Sequence, residues 1–563
     1  MGGKRRKMRR GEHTLTRPAG SAHRGLYKSM GYSDYDLGRP LIGVANSWST
    51  VVPGHYNLKQ VAEYVRQGIY QAGGTPVEFG VIGGCDGLAD GHWTTRYILP
   101  SRELIAHSVE MMVAAHRLDG VVLLGSCDKI VPGLLMAAAR LDVPAILIAG
   151  GPAEGGCFFD GRVSDNTSID EALPMLQTGR ISSAAFRDLE ELSMPSCGSC
   201  AMLGTANSMC CIAEALGMSL PGSATIPATQ GARLRAAQAT GRRIVAMVAD
   251  GLSARRIITR QSIENAVRVM AAIGGSTNLA LHIPAIGYEA DIPVDLDLFD
   301  AVSRSTPYIA RINPAGPATV PDFHRAGGVP AVMKTLLPLL HGEAMTVSGH
   351  TVADNVAAAE IRSADIIRSL SDPWSEQGGL AVLRGNLAPN GSITKPAAVD
   401  PGMHVFSGRA CCFDSEQAAT RAILERRIAA GTVVVIRYEG PKGGPGMPEM
   451  YAALKYLYGQ GLALETALIT DGRFSGSNNG CFVGHISPEA AEGGPLAAVA
   501  DGDRITIDIP RRRLHLHLPD DAIAARLAAW RPPAPKATSG YLNIYARLAE
   551  SADKGAIIRH KDP

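Results

Sequence analysis

The stretch Val121-Val-Leu-Leu-Gly-Ser-Cys-Asp-Lys-Ile-Val-Pro-Gly-Leu-Leu-Met-Ala-Ala-Ala-Arg-Leu-Asp-Val-Pro-Ala-Ile-Leu-Ile-Ala149 decides the fold class. An apolar run, Val121 to Leu124, is too short for a helix and has no polar alternation, as expected of a strand buried on both faces. Leu134 to Leu141 then carries a helical pattern, and Val143 to Ala149 is a second apolar run. Strand, helix, strand with no hairpin signal between them predicts a parallel pair with a helical crossover. The same alternation extends upstream. Leu41 to Ala45 precedes the helical Leu58 to Gln71, and Phe79 to Ile82 precedes the helical Glu103 to Leu118. The N-terminal part therefore reads as α/β, a parallel sheet with helices on both faces. Ligands of such sheets bind beyond the carboxyl ends of the strands, where Cys85-Asp86-Gly87 and Cys127-Asp128-Lys129 lie.

Downstream, Ala201 to Leu216 and Ile263 to Ile273 are the clearest helices. The texture changes around Asp372-Pro373 and Gly378-Gly379. Short strands follow, including Val433 to Ile436, with Ile505 to Ile509 and Leu514 to Leu518 alternating in period two. A boundary near 375 divides the expected domains: residues 1–375, α/β, and residues 376–563, smaller, β-rich and barrel-like.

Composition narrows the function classes. Of 563 residues, 55 are Lys or Arg and 53 Asp or Glu, a net charge of +2 that offers no global attraction for nucleic acid or a membrane surface. Apolar residues at 46% support a packed core, which excludes a disordered, collagen-like or coiled-coil chain. Ten cysteines in so long a chain, with no apolar leader after Met1, point to reduced thiols in a cytoplasmic protein. The basic run from Lys4 to Arg10 reads as a solvated tail.

Several constellations carry chemistry. Cys127-Asp128-Lys129 sets thiol, carboxylate and amine together at a strand end, suited to a metal or to a capping Asp beside a buried Cys. Cys197-Gly-Ser-Cys200 suits a redox dithiol or metal ligands. Cys210-Cys211 and Cys411-Cys412 read as small buried hydrophobes, and His515 with His517 as a solvated strand face. Gly443-Gly-Pro-Gly446 lacks the Gly-Lys-Ser/Thr ending of a phosphate loop and reads as a turn admitting close backbone approach. Asp471-Gly-Arg-Phe-Ser475-Gly476 places a hydroxyl in a glycine-flanked turn, as a nucleophile, a base or an ordinary turn serine.

Taken in order, these runs resemble one family. Val52-Pro-Gly-His-Tyr-Asn-Leu58, Cys85-Asp-Gly87, Pro100-Ser-Arg-Glu103, Cys127-Asp-Lys-Ile-Val-Pro-Gly133, Cys197-Gly-Ser-Cys200 and Thr205-Ala-Asn-Ser-Met209 come first. Gly274-Gly-Ser-Thr-Asn278, Tyr438-Glu-Gly-Pro-Lys-Gly-Gly-Pro-Gly-Met447, Asp471-Gly-Arg-Phe-Ser-Gly476 and His485-Ile-Ser-Pro-Glu-Ala490 follow. Together they are similar to the dihydroxy-acid and sugar-acid dehydratases over nearly the whole chain.

The resemblance implies a hydro-lyase that turns a 2,3-dihydroxy acid into a 2-keto acid. It implies Mg²⁺ held by Asp86, Asp128 and Glu449, with Lys129 as a carbamylated lysine adding a further oxygen. Ser475 corresponds to the base, and Ser477 is a candidate substrate-binding residue. Cys127 and Cys200 match iron–sulfur ligands. Many members carry a cysteine where this chain has Gly54, so Cys85 is the candidate third ligand, with [2Fe–2S] favoured over [4Fe–4S]. A homodimer or dimer of dimers is implied as well.

The substrate expected is 2,3-dihydroxyisovalerate of branched-chain amino-acid biosynthesis. An aldonate is the alternative, because His92-Trp-Thr-Thr95, Ala201-Met-Leu-Gly204 and Ser477-Asn-Asn-Gly480 depart from the runs usual in the branched-chain branch, while Leu203-Gly-Thr205 with Gly217-Met-Ser-Leu-Pro221 is similar to sugar-acid dehydratases. A reading from another class makes Cys197 and Cys200 a thiol–disulfide oxidoreductase centre.

Overall fold

A computed structural model describes residues 15, 17–476 and 480–561. The basic run at Lys4–Arg10 and the candidate Ser477 lie outside the described residues. Four strands form the N-terminal sheet: β1 (Leu41–Asn46), β2 (Thr75–Gly80), β3 (Gly120–Leu124) and β4 (Ala145–Ile148). All pair in parallel, in the order β2-β1-β3-β4. β1, β3 and β4 are buried at every residue, which requires cover on both faces and explains their unbroken apolar runs. The expected strand at Phe79–Ile82 begins earlier, at Thr75, and stops at Gly80. Val81 and Ile82 already belong to the connection that carries Cys85 and Asp86.

Helices Leu58–Gln71 and Gly231–Asp250 pack along each other and on the strands. Their contact is backbone to backbone. A Cβ at Gly68 would overlap the Gln238 carbonyl oxygen, and one at Gly241 the Val65 carbonyl oxygen. Helix Ile130–Leu141 follows β3. Its Pro132 falls in the first turn, where a missing N–H removes no helical bond. Gly133 brings it against helix Ile98–Ala115, since an added Cβ would sit 2.8 Å from the Arg102 carbonyl oxygen. A short hairpin, β5 (Phe158–Phe159) and β6 (Arg162–Val163), leads into the helical middle.

The second part is a closed eight-stranded barrel: β7 (Ala381–Gly385), β8 (Ala388–Thr394), β9 (Val405–Phe413), β10 (Thr432–Ile436), β11 (Ala467–Thr470), β12 (Cys481–Ser487), β13 (Arg504–Asp508) and β14 (Arg513–Leu516). β9, β10, β11 and β12 run parallel side by side, and four antiparallel pairs with one parallel pair, β7 with β14, complete the ring. Alternation along β10 separates two cores. Val433 and Val435 fill the barrel, while Val434 and Ile436 pack outward against helices Glu416–Leu424 and Tyr451–Gly459. His515 on β14 and His517 just beyond its end stand side by side, His517 bonded to Thr506 at 2.7 Å and exposed. Among the described residues no helix is long and apolar enough to cross a membrane.

The glycine contact is open to test. Gly241→Ala gains about 1 kcal/mol of helix propensity, but forcing a methyl group into a backbone contact costs about 1–3 kcal/mol. The clash dominates, so Gly68→Ala and Gly241→Ala should each lower the thermal midpoint. An unchanged or raised midpoint would contradict the contact.

Candidate active site

Strand order β2-β1-β3-β4 makes the gap between β1 and β3 the point where the winding of the sheet reverses. The crevice beyond the strand ends is the expected ligand site there. The connections leaving those ends deliver Pro53-Gly54-His55 after β1, Cys85-Asp86 after β2 and Cys127-Asp128-Lys129 after β3. Cys200 arrives from the helical middle. Its turn is pinned by the Gly198 N–H on the Pro53 carbonyl (3.1 Å) and the Ser199 N–H on the Gly151 carbonyl (3.0 Å). Cys85, Cys127 and Cys200 line one cavity of about 150 Å³ with Asp86, Asp128, Thr205 and Ser475. Cys197 is not among its lining residues.

The barrel supplies the remaining wall. β10 and β11 are parallel neighbours, so the loops after them leave from the same end, and Glu449 bridges Arg473 in a parallel pair. Asp471 accepts the N–H groups of Tyr438, Glu439 and Ala490, tying the loops together. Phe474 is buried against Phe482 with ring centroids 4.6 Å apart, which anchors the turn presenting Ser475. An added Cβ at Gly476 would lie 2.8 Å from both Gly204 Cα and Thr205 N, so the turn rests on the start of helix Thr205–Ala215. No side chain caps that helix start, and its positive dipole end faces the cavity. The glycine-rich run 443–446 serves a related purpose. A Cβ at Gly446 would overlap the Arg96 carbonyl oxygen, so the close approach is to another backbone segment.

Charge is concentrated at the centre. Ligand oxygens of Asp86, Asp128 and Glu449 lie within 4.8 Å of one another. Fully buried Lys129 donates to all three, to Asp128 and Glu449 at 3.2 Å each. Glu449 also accepts from Arg473 (2.6 Å) and from Asn278 Nδ2 (2.7 Å). Burial and the Asp128 carboxylate push the Asp86 carboxyl up to about 7. Burial acts the same way on Glu449, but Lys129 and Arg473 outweigh it and hold that carboxyl low. Lys129 loses to burial and to Arg473 but gains more from its three carboxylates, so its pKa is raised.

The residues fit the groups that the resemblance implies. Asp86 Oδ1 and Glu449 Oε2 are buried with no hydrogen-bond partner, as acceptors meant for a cation would be. Oxygen donors of this kind suit Mg²⁺. Burial raises the Cys85 thiol to about 11 and the Cys127 and Cys200 thiols well above the usual range. A redox dithiol needs the opposite shift, whereas a metal deprotonates such thiols outright. Gly54 abuts Cys127: a Cβ there would lie 2.5 Å from Cys127 Sγ, so this position faces that thiol without adding a donor.

Three site residues gave little local signal. His55 Nδ1 donates to the Ser47 carbonyl (2.8 Å), leaving Nε2 to accept the N–H groups of Ser126 (3.0 Å) and Cys127 (3.2 Å). Burial keeps it neutral, with its pKa lowered to about 4. Asn278 and Arg473 orient Glu449. All three lie within the runs quoted above, but only long-range contacts reveal what they do.

Replacing His55 by Leu would orphan two buried N–H groups in the Cys127 loop, at about 1–3 kcal/mol each. His55→Leu should therefore lower both stability and iron per chain. A variant with full iron content and an unchanged melting temperature would contradict this role.

Comparison with known proteins identifies the family. The sequence model for the dihydroxy-acid/6-phosphogluconate dehydratase N-terminal region matches residues 39–355, and that for the C-terminal region matches residues 365–556. A dihydroxy-acid dehydratase of Acetivibrio thermocellus is 50% identical over 541 residues, covering 96% of this chain and 98% of its own. The dihydroxy-acid dehydratase of Ignicoccus hospitalis is 50% identical over 546 residues, 97% and 99% of the two chains. That of Pyrococcus furiosus is 48% identical over 540 residues, 96% and 98%. Two matched models spanning both the sheet and the barrel, with relatives this similar along their whole length, place the chain in the dihydroxy-acid/6-phosphogluconate dehydratase family.

Proposed function

We propose that this chain is a hydro-lyase that dehydrates a 2,3-dihydroxy carboxylic acid to a 2-keto acid, with 2,3-dihydroxyisovalerate as its substrate. The observation carrying the reading is the meeting around one cavity of Asp86, Asp128, three thiols and Ser475, from both halves of the chain, with Glu449 within 4.8 Å of the two aspartates. The relatives named dihydroxy-acid dehydratase support the choice of substrate. Met202, Gly204 and Ala206 give part of the cavity a nonpolar lining suited to a branched alkyl end.

In this reading Asp86, Asp128 and Glu449 hold Mg²⁺, with Lys129 as a carbamate adding a fourth oxygen ligand. Cys85, Cys127 and Cys200 hold an iron–sulfur cluster, of the [2Fe–2S] type. When bound, the Mg²⁺ stabilises negative charge on the substrate carboxylate and C2 oxygen, and the cluster iron serves as a Lewis acid toward the departing C3 hydroxyl.

The chain's own residues do the rest. Ser475, as an alkoxide, takes the C2 proton onto Oγ. An ordinary serine is far too weak a base, so its surroundings must favour the charged form. The start of helix Thr205–Ala215, against which the turn rests, supplies part of that bias. Asn278 and Arg473 fix the Glu449 carboxylate, and His55 fixes the Cys127 loop. The enol formed by loss of water becomes the 2-keto acid. None of the ten cysteines is in a disulfide, and a cytoplasmic setting is proposed. A homodimer or dimer of dimers is the proposed assembly, which sedimentation measures.

Anaerobically purified protein with Mg²⁺ should form keto acid from 2,3-dihydroxyisovalerate and its methyl homologue in preference to pentonates and hexonates. A strong aldonate preference would overturn the substrate, and no product from any of them the reaction. Iron near two per chain is expected, and near four would replace the cluster type. Ser475→Ala should lower kcat/KM by about 10²–10⁴-fold with iron content intact. Glu449→Gln should lose more activity at limiting than at saturating Mg²⁺, and equal loss at both would argue against a ligand role.

A further inference from the structure

The barrel half contributes a buried amine, that of Lys395, which the chemistry above leaves unused. Lys395 directly follows β8, whose Thr394 is tied to β12 through the Phe482 carbonyl (2.6 Å). Its side chain is 1% exposed, and its Nζ donates to the Gly476 carbonyl at 3.3 Å. Among the described residues it forms no ion pair, and burial alone lowers its pKa to about 7. An amine buried without a carboxylate is costly, and a methionine of similar length would fill the same space without that cost. A fold that keeps the amine at such a place uses its hydrogen bond or its charge.

The acceptor indicates which use. Gly476 O lies one peptide beyond Ser475, in the turn that rests on the start of helix Thr205–Ala215. The Ser475 turn therefore touches both an amine and a positive helix end. Asp86 and Asp128 share the cavity with Ser475, and Glu449 pairs with Arg473 on the same loop, both beside Lys129. The carboxylates oppose a serine alkoxide, so positive charge beneath the turn has a defined job.

We propose that Lys395 is a positioning residue for Ser475: its Nζ fixes the Ser475–Gly476 peptide, and its positive charge favours the alkoxide form of the serine. Lys395 keeps its proton throughout, and the C2 proton goes to Ser475 Oγ. An alkoxide one peptide away favours the charged lysine in return. The inference rests on the reading of Ser475 as the base.

The test compares kcat and KM against pH, with 2,3-dihydroxyisovalerate, for holoenzymes of the wild type, Lys395→Met, Lys395→Gln and Lys395→Arg. Iron content and melting temperature are measured alongside. Activity that needs the alkoxide rises with pH through the serine pKa, and removing a nearby cation raises that pKa. Lys395→Met and Lys395→Gln should lower kcat at pH 7 about tenfold and move the acid limb to higher pH by about one pH unit. KM should stay within about twofold. Lys395→Arg should keep the limb in place.

Gln retains a donor for the Gly476 carbonyl but no charge, so it decides the matter if Met fails to load iron. If neither neutral variant folds, Arg decides, because a displaced limb there would overturn the proposal. Iron-loaded Met and Gln variants with the wild-type pH profile would also overturn it. Ser475→Ala that retains turnover would defeat the base reading itself. Inactive Ser475→Ala with unmoved limbs in the Lys395 variants would defeat only the role of Lys395.

Discussion

The meeting of four ionisable side chains from two parts of the chain, the carboxylates of Asp86, Asp128 and Glu449 around the Lys129 nitrogen, is the interaction on which this site depends. Asp86, Asp128 and Lys129 come from the ends of sheet strands, and Glu449 from a barrel loop. Neither half can satisfy these charges alone, since an unpaired buried charge costs several kcal/mol. Docking of barrel on sheet is therefore the same event as assembly of the site. A second buried pair reinforces it: Arg96 meets Glu439 at 2.6 Å, with Lys536 on the same carboxylate at 3.0 Å. Such pairs add little net stability over apolar packing. What they impose is one relative placement of the two halves.

Much of this was legible in the sequence, and the limits have physical causes. The buried strands β1, β3 and β4 announce themselves because strands covered on both faces have no polar alternation. The candidates Cys85, Asp86, Cys127, Asp128 and Lys129 stand where the strand-end rule directs attention. The barrel was harder to read. β8 closes against β12, some ninety residues later in the chain, and such partners leave no local pattern. The same applies to His55, Asn278 and Lys395, whose roles are contacts made across the fold. Gly54 shows the reverse case. Its departure from the family pattern is plain in the sequence, but only the structure puts it against Cys127 Sγ.

Several of the chain's 63 glycines also acquire a reason. Gly68 with Gly241, Gly446 against Arg96 and Gly476 against Thr205 each let backbones touch where a methyl group would intrude. The last two set the barrel loops on the sheet half, so they fix the distance from Ser475 and Glu449 to the thiols and carboxylates opposite. The nearly neutral overall charge is consistent with this arrangement, because attraction for an acidic substrate is left to cations held within the site.

Iron-edge anomalous diffraction from anaerobically grown crystals tests the central claim most directly, because it locates the metal without reference to activity. The account predicts iron bonded to the sulfurs of Cys85, Cys127 and Cys200, beside a separate cation among Asp86, Asp128 and Glu449. Iron ligated by Cys197, or active protein with no iron in this cavity, would contradict it.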